Sequence, residues 1–257
     1  MISHYRQNID HPIDNSRAWA ILEDNYNKYY LNYEGDRTPV IPKNIHMIWL
    51  GKPFPDKYLR IRDTWLYKHP DWTFKIWDDK SASELKMVNR NAYDTVNNIA
   101  IKADILRYEI LYKYGGLYVD IDFECIKPFD NLMYLDFIGG CGWNRYPSIF
   151  NALMACKPGD AFMRKVIQGI SKKTFRNKYG VLDVLNIINI SFITEIYMEH
   201  IKTTTDKTVI FPSSYFYPLP ATARTDVRID DGLSRKQIYS YIKPSSYCVH
   251  LWYTSWQ

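Results

Sequence analysis

The sequence predicts an α/β protein built on a Rossmann-like, mainly parallel sheet flanked by helices. Three observations carry that expectation. The runs IHMIWLG (45–51), WTFKIWDD (72–79) and LYVDID (117–122) are short and apolar or alternating, and each closes on Gly or Asp, as strands do. Between them, 56–69 and 100–116 repeat apolar residues at helical spacing. Strand–helix–strand alternation of this kind gives parallel pairing through right-handed crossovers. Such sheets bind ligands beyond the carboxyl ends of their strands, which is where these runs deliver tryptophan and aspartate.

The elements follow in order. Residues 15–33 open on a capping candidate, Asn15 or Ser16, and place Trp19, Leu22, Tyr26, Tyr29 and Tyr33 along one helical face. A polar turn, EGDRTP, follows, so 1–38 reads as an N-terminal helical appendage and 39–257 as the main domain. The stretch 80–98 reads as polar and irregular. From Ala100 a helix carries Ile101, Ile105, Tyr108 and Leu111 or Tyr112 on one side and stops at Gly115-Gly116, a glycine C-terminal signal. In the second half, 133–140, 208–212 and 247–252 read as strands, and 159–172 and 181–200 as helices. No internal repeat is visible.

Composition narrows the class. With 46% hydrophobic and 24% charged residues the chain can fold, which excludes a disordered polymer. Aromatic residues reach 16%, enough to leave rings for lining a cleft. The net charge of +5 favours anionic ligands, nucleotide phosphates or a lipid surface among them. No long Lys/Arg block and no zinc-finger spacing points to nucleic acid. Cys125, Cys141, Cys156 and Cys248 form no C-x-x-C pair and read as free thiols in a reducing compartment. The N-terminus lacks the apolar core of a secretory signal, and 181–195 is too interrupted by polar residues to span a bilayer. The expectation is a cytoplasmic protein, soluble or membrane-peripheral.

The chemistry concentrates at Asp120 and Asp122. Side chains alternate along a strand, so both would point the same way, roughly 6.5–7 Å apart at the backbone. Two converging carboxylates suit Mg²⁺ or Mn²⁺, or else they are a solvated pair at a turn. A phosphatase D-x-D-x-T/V reading fails because Glu124 stands where Thr or Val is needed and the motif lies mid-chain. On the preceding helix Asp104 and Arg107 share a face at i, i+3, either as a surface ion pair or as an arginine fork facing a phosphate or sugar. Trp49 is either core or a ring placed to stack on a base. At the C-terminus, HLWYTSWQ packs His250, Trp252, Ser255 and Trp256 closely together, and His250 is either a satisfied core histidine or a third metal ligand.

Together, IPKNIHMIWLGKPFP, PDWTFKIWDD, IKADILRYEILYKYGGLYVDIDFECIKPFD, IFNALMACKPGD and HLWYTSW resemble the D-x-D sugar transferases of glycosyltransferase family 32. Its members include yeast-type mannosyltransferases, bacterial capsule and lipopolysaccharide hexosyltransferases and, distantly, clostridial glucosylating toxins. The block 103–122 carries most of the likeness; 160–245 matches poorly, so the acceptor side is not fixed by it. The resemblance implies a GT-A fold, a UDP- or GDP-linked sugar donor, Mn²⁺ (or Mg²⁺), a glycan or protein acceptor, and transfer with retention. By position it implies that Trp49 stacks on the base, that Asp104 and Arg107 hold sugar hydroxyls, and that Asn151 contacts the sugar. Asp120, Asp122 and His250 would hold the metal, Asp120 also reaching the ribose or sugar, while Ser255 and Trp256 close over the diphosphate.

Overall fold

The computed structural model describes residues 16–142, 146–173, 188–224 and 235–253. Six strands form the central sheet: β1 (Asn44–Ile48), β2 (Thr73–Trp77), β3 (Gly116–Val119), β5 (Phe137–Cys141), β6 (Ile149–Cys156) and β7 (Thr208–Phe211), in the order β2-β1-β3-β6-β5-β7. β1 pairs in parallel with β2 and β3, and β5 with β7. β6 runs antiparallel to both β3 and β5. The sheet is therefore mainly parallel, with one reversed strand that the sequence pattern did not mark. β4 (Phe123–Cys125) and β8 (Cys248–His250) make a separate antiparallel ribbon, with Phe123 opposite His250.

Helices cover the sheet. α1 (Ser16–Tyr26) continues as a π-helical turn, Asn27–Leu31, and packs on β7. Its Trp19, Leu22 and Tyr26 join the same core as the sheet residues, and Tyr134 ties its hydroxyl to the Tyr29 carbonyl. α2 (Leu59–Lys68) buries Ile61 and Trp65. The stretch read as irregular holds two short helices, α3 (Asp79–Glu84) and α4 (Arg90–Thr95). Asp78 and Ser81 form a capping box for α3, and Arg90 donates to the carbonyls of Ala82 and Leu85 at its end. The buried Glu109 carboxylate then accepts from the Val88 and Asn89 backbone amides, at 2.9 and 2.8 Å. Satisfying these polar groups from other elements is what local periodicity could not reveal.

α5 (Ile99–Tyr114) is capped by Asn98, whose side chain accepts from Ala100 and Ile101. It was expected to show one apolar face, yet it is buried on nearly all sides, Asp104, Arg107 and Glu109 included, because it lies between the sheet and α6 (Ala161–Ser171). α7 (Ile190–His200) is the described part of the helix expected over 181–200; its first residues lie outside the described ones. Two short helices, α8 (Ser213–Phe216) and α9 (Arg235–Ser240), complete the set. β5 starts later than expected, at Phe137, since Met133 to Leu135 close a tight turn. The four cysteines are free and buried. No described helix is long and apolar enough to cross a membrane.

His46 on β1 shows how firmly the core fixes its polar groups. Its Nδ1 accepts from the Trp77 indole at 3.2 Å, which leaves Nε2–H to donate to the Gly115 carbonyl at 3.1 Å. Burial pushes its pKa down to about 4 from 6.5. The unfolded chain thus takes up a proton that the folded one refuses, so stability present above pH 6.5 is lost as pH falls towards 4. The loss amounts to about 3 kcal/mol at about 1.4 kcal/mol per unit. Urea titrations of His46→Gln across that window should show a flatter pH dependence than the parent, and an unchanged slope would assign the effect elsewhere.

Candidate active site

The site begins at the end of α5. Gly115 and Gly116 have φ of 62° and 90°, and a Cβ on either would come within 2.7 Å of a backbone carbonyl, Cys156 or Asn44 respectively. Only glycine turns the chain there from α5 into β3 at this spacing. β3 then stops at Val119, so Asp120, Ile121 and Asp122 occupy a tight turn into β4 instead of continuing the strand. The Phe123 amide donates back to the Asp120 carbonyl across that turn, while the Asp120 amide still reaches Ala152 on β6. The two carboxylates converge through this turn and not through strand alternation, which corrects the expected geometry.

Behind Asp120 lies a buried charge network. Arg107 is 4% exposed, which rules out the surface ion pair as the reading of Asp104 and Arg107. Its guanidinium donates to the Asn151 carbonyl at 2.7 Å and pairs with Asp104 at 3.1 Å and Asp120 at 3.4 Å. It also lies over the Tyr118 ring, whose hydroxyl donates to Asp120. The Asn151 amide donates to Asp104 and to the Tyr108 hydroxyl, each at 2.9 Å. Burial pushes the Asp104 carboxyl up to about 7, against the pull of Arg107. Burial also raises Asp120, opposed by Arg107 and reinforced by Asp122. Tyr108, Tyr118 and Asn189, which reaches Asp104 at 3.5 Å, belong to this network, and no sequence motif marked them.

Asp122 is held from the other side. His250 Nε2 lies 3.1 Å from its Oδ1, and the Tyr253 amide donates to its Oδ2 at 2.9 Å. The Leu251 amide donates to its carbonyl, also at 2.9 Å. The His250 ring stacks on Phe123 with centroids 4.3 Å apart, and its Nδ1 is buried without a partner. Oxygen atoms of Asp120 and Asp122 and a ring nitrogen of His250 lie within 4.8 Å of one another, the single such group of three among the described residues. Two carboxylates and an imidazole fit a divalent cation such as Mn²⁺, and the bare Nδ1 shows a histidine not fully satisfied by the protein.

The remaining candidates sit apart. Trp49 is 8% exposed, donates to the Pro53 carbonyl and borders a cavity of about 430 Å³ with Phe54, Asp78 and Asp79 at the carboxyl ends of β1 and β2. It is linked to the carboxylates through rings, Trp49 to Tyr58 and Tyr58 to Tyr253. Ser255 and Trp256 lie outside the described residues.

A mainly parallel sheet with a D-x-D turn beyond its carboxyl edge defines a GT-A glycosyltransferase fold, and the solved structure of PaToxG glycosyltransferase shares it. The two superpose with a TM-score of 0.53 at 19% identity, over 87% of this chain and 83% of that one. Residues 55–137 match the family described as a glycosyltransferase sugar-binding region containing a DXD motif. It is 30% identical over 172 residues to inositol phosphoceramide mannosyltransferase 3 of Schizosaccharomyces pombe, covering 64% of this chain and 46% of that protein. An uncharacterized glycosyltransferase of Acanthamoeba polyphaga mimivirus is 23% identical over 227 residues, 84% of each chain. The chain spans about half the length of the fission-yeast relatives it matches.

Arg107 sets the stability of this region. Arg107→Met would leave the buried Asp104 and the partly buried Asp120 beside no cation, at a cost of about 3–5 kcal/mol. Urea denaturation should register that loss. A midpoint unchanged from the parent would show that the guanidinium does not hold the network.

Proposed function

We propose that the protein is a metal-dependent, retaining hexosyltransferase that moves a hexose from a UDP- or GDP-linked donor to a hydroxyl, most simply on a glycan. The convergence of Asp120, Asp122 and His250 carries this reading. Arg107 pairs with Asp104 and Asp120 but not with Asp122, and a dication between Asp120 and Asp122 would offset the negative charge that these two carboxylates bring together. Asp120, Asp122 and His250 would hold the cation, which would supply Lewis acidity towards the diphosphate of the donor. Mannose is the first sugar to test, since fission-yeast relatives are named mannosyltransferases.

The chain's own residues do the rest. Trp49, beside its cavity at the β1–β2 edge, takes the base, and the ring path through Tyr58 and Tyr253 spans the distance to the metal ligands. Asp104, Arg107 and Asn151 form the floor on which the donor sugar rests against Asp120. Arg107 holds Asp120 in place, leaving its carboxylate, 20% exposed, to meet the ligand. Ser255 and Trp256 are assigned to the diphosphate. Retention without an enzyme nucleophile is supported by the burial of Asp104, whose two oxygens are taken by Asn151 and Asn189. The acceptor hydroxyl then attacks from the face of the leaving group and passes its proton to the departing phosphate. Mass-spectrometric trapping of a covalent glycosyl-enzyme would exclude that course.

Asp122→Asn removes one metal ligand and should slow transfer on the order of 10²–10³-fold. Calorimetry should show Mn²⁺-dependent UDP or GDP binding weakened in that variant, and unchanged binding refutes the metal assignment. Incubation with Mn²⁺ and a panel of nucleotide sugars should give slow donor hydrolysis, read as nucleotide release. Binding without turnover of any donor would make the protein a sugar-nucleotide binding module instead.

A further inference from the structure

Asp122 is grasped by donors from one short stretch: the His250 imidazole, the Leu251 amide and the Tyr253 amide. In an extended strand successive amides point to opposite sides and alternate side chains leave on the same face. For the His250 side chain and the Tyr253 amide to meet on the two oxygens of one carboxylate, the chain must fold back between them. Trp252 makes that bend. It is the single non-glycine residue with positive φ among the described residues, at 57°. A backbone in this region strains any residue with a Cβ, and such strain persists where surrounding contacts over-determine it.

The contacts that do so are present. The Trp252 indole donates to the Leu219 carbonyl at 2.8 Å. Its ring lies 4.0 Å from the His250 ring, inclined at 43°, while Phe123 stacks on the imidazole at 4.3 Å and 2°. Phe150 meets the Trp252 ring edge-on at 5.8 Å. The imidazole therefore sits between two aromatic rings, and the same residue that clamps it also turns the chain that anchors Asp122. Glycine would make the bend without strain, but it would leave His250 open on one side.

We infer that Trp252 is a positioning residue for the cation site: it fixes the plane of His250 and delivers the Tyr253 amide to Asp122, and so sets the affinity for the metal. This rests on the metal reading above. The test is a titration of Mn²⁺ into the full chain, with free Mn²⁺ followed by electron paramagnetic resonance, alongside the proton NMR signal of the His250 ring without metal. Trp252→Ala and Trp252→Gly should each weaken Mn²⁺ binding about 10–100-fold, the range found when groups supporting a metal ligand are removed. Trp252→Phe keeps a ring against the imidazole and should stay closer to the parent, with thermal melting preserved. In the metal-free chain, the His250 ring protons should lose the upfield shift imposed by Trp252 in the Ala and Gly variants. They should largely keep it in Trp252→Phe. Parent-like Mn²⁺ affinity in both Ala and Gly overturns the inference, as does a His250 signal unmoved by either. A parent that binds no Mn²⁺ overturns the metal reading instead, and the NMR comparison still decides whether Trp252 positions His250. Should Trp252→Ala fail to fold, Gly and Phe carry the same comparison.

Discussion

The Arg107 guanidinium holds together three parts of the chain that would otherwise repel or drift apart. It sits on α5, reaches Asp120 at the β3–β4 turn and takes the Asn151 carbonyl of β6. Burying a guanidinium alone is expensive, and so is burying Asp104 or Asp120 alone. The costs offset one another only when all three parts are in place. That requirement gives the reversed strand a purpose, because with β6 inserted beside β3 the Asn151 carbonyl reaches Arg107 on α5. Burial opposes the charge on Arg107, but the Asp120, Tyr118 and Asp104 oxygens together keep its pKa above the ordinary value. The guanidinium remains charged, so its partners feel a permanent cation.

Arg107 reaches Asp104 and Asp120, while Asp122 is held by His250, and the buried histidines differ in how their ring nitrogens are used. His46 bonds through both ring nitrogens, as does His69, which lies 3.1 Å from the Trp65 carbonyl and accepts the Phe129 amide at 3.0 Å. Both are structural, and burial lowers both pKa values. His250 differs from them in keeping one nitrogen bare while the other faces a carboxylate. It lies against two aromatic rings and beside two aspartates, which is the setting the proposed cation site draws on.

Much of this was legible in the residues. The three apolar runs and the glycine-closed helix carried the α/β order, and the register of Asp104, Arg107, Gly115, Gly116, Asp120 and Asp122 marked residues that the fold brings together. What escaped was tertiary in origin. IFNALMAC reads as an apolar run with no sign of direction, and its antiparallel course is fixed by its pairing with β3 and β5, far from it in sequence in the first case. α3 and α4 exist because Glu109 and Arg90 satisfy their loose ends from a distance. The D-x-D spacing suggested strand alternation, but the β4–β8 pairing pulls Phe123 into a second ribbon and forces a turn at Ile121. Nor does any spacing announce that residue 252 has a left-handed backbone, since tryptophan is not a residue that turn statistics place there.

The two halves of the site therefore differ in how they come to be. In the Asp104–Arg107–Asp120 half the charged residues are close in sequence, on a helix, a glycine hinge and the end of the strand that follows, with Asn151 added from β6. The Asp122–His250 half joins residues 128 apart in sequence. It forms only after β8 has paired with β4 and the chain has bent at Trp252, and long-range closure of this kind costs entropy before any contact offsets it. The bend adds strain of about 1–2 kcal/mol, which a glycine would have avoided. The stack of Phe123, His250 and Trp252 and the indole bond to Leu219 are the contacts available to offset it. A fold indifferent to the position of the His250 ring would have no need of tryptophan at that bend. Its presence there ties the shape of the terminal segment to the geometry of the carboxylate it holds.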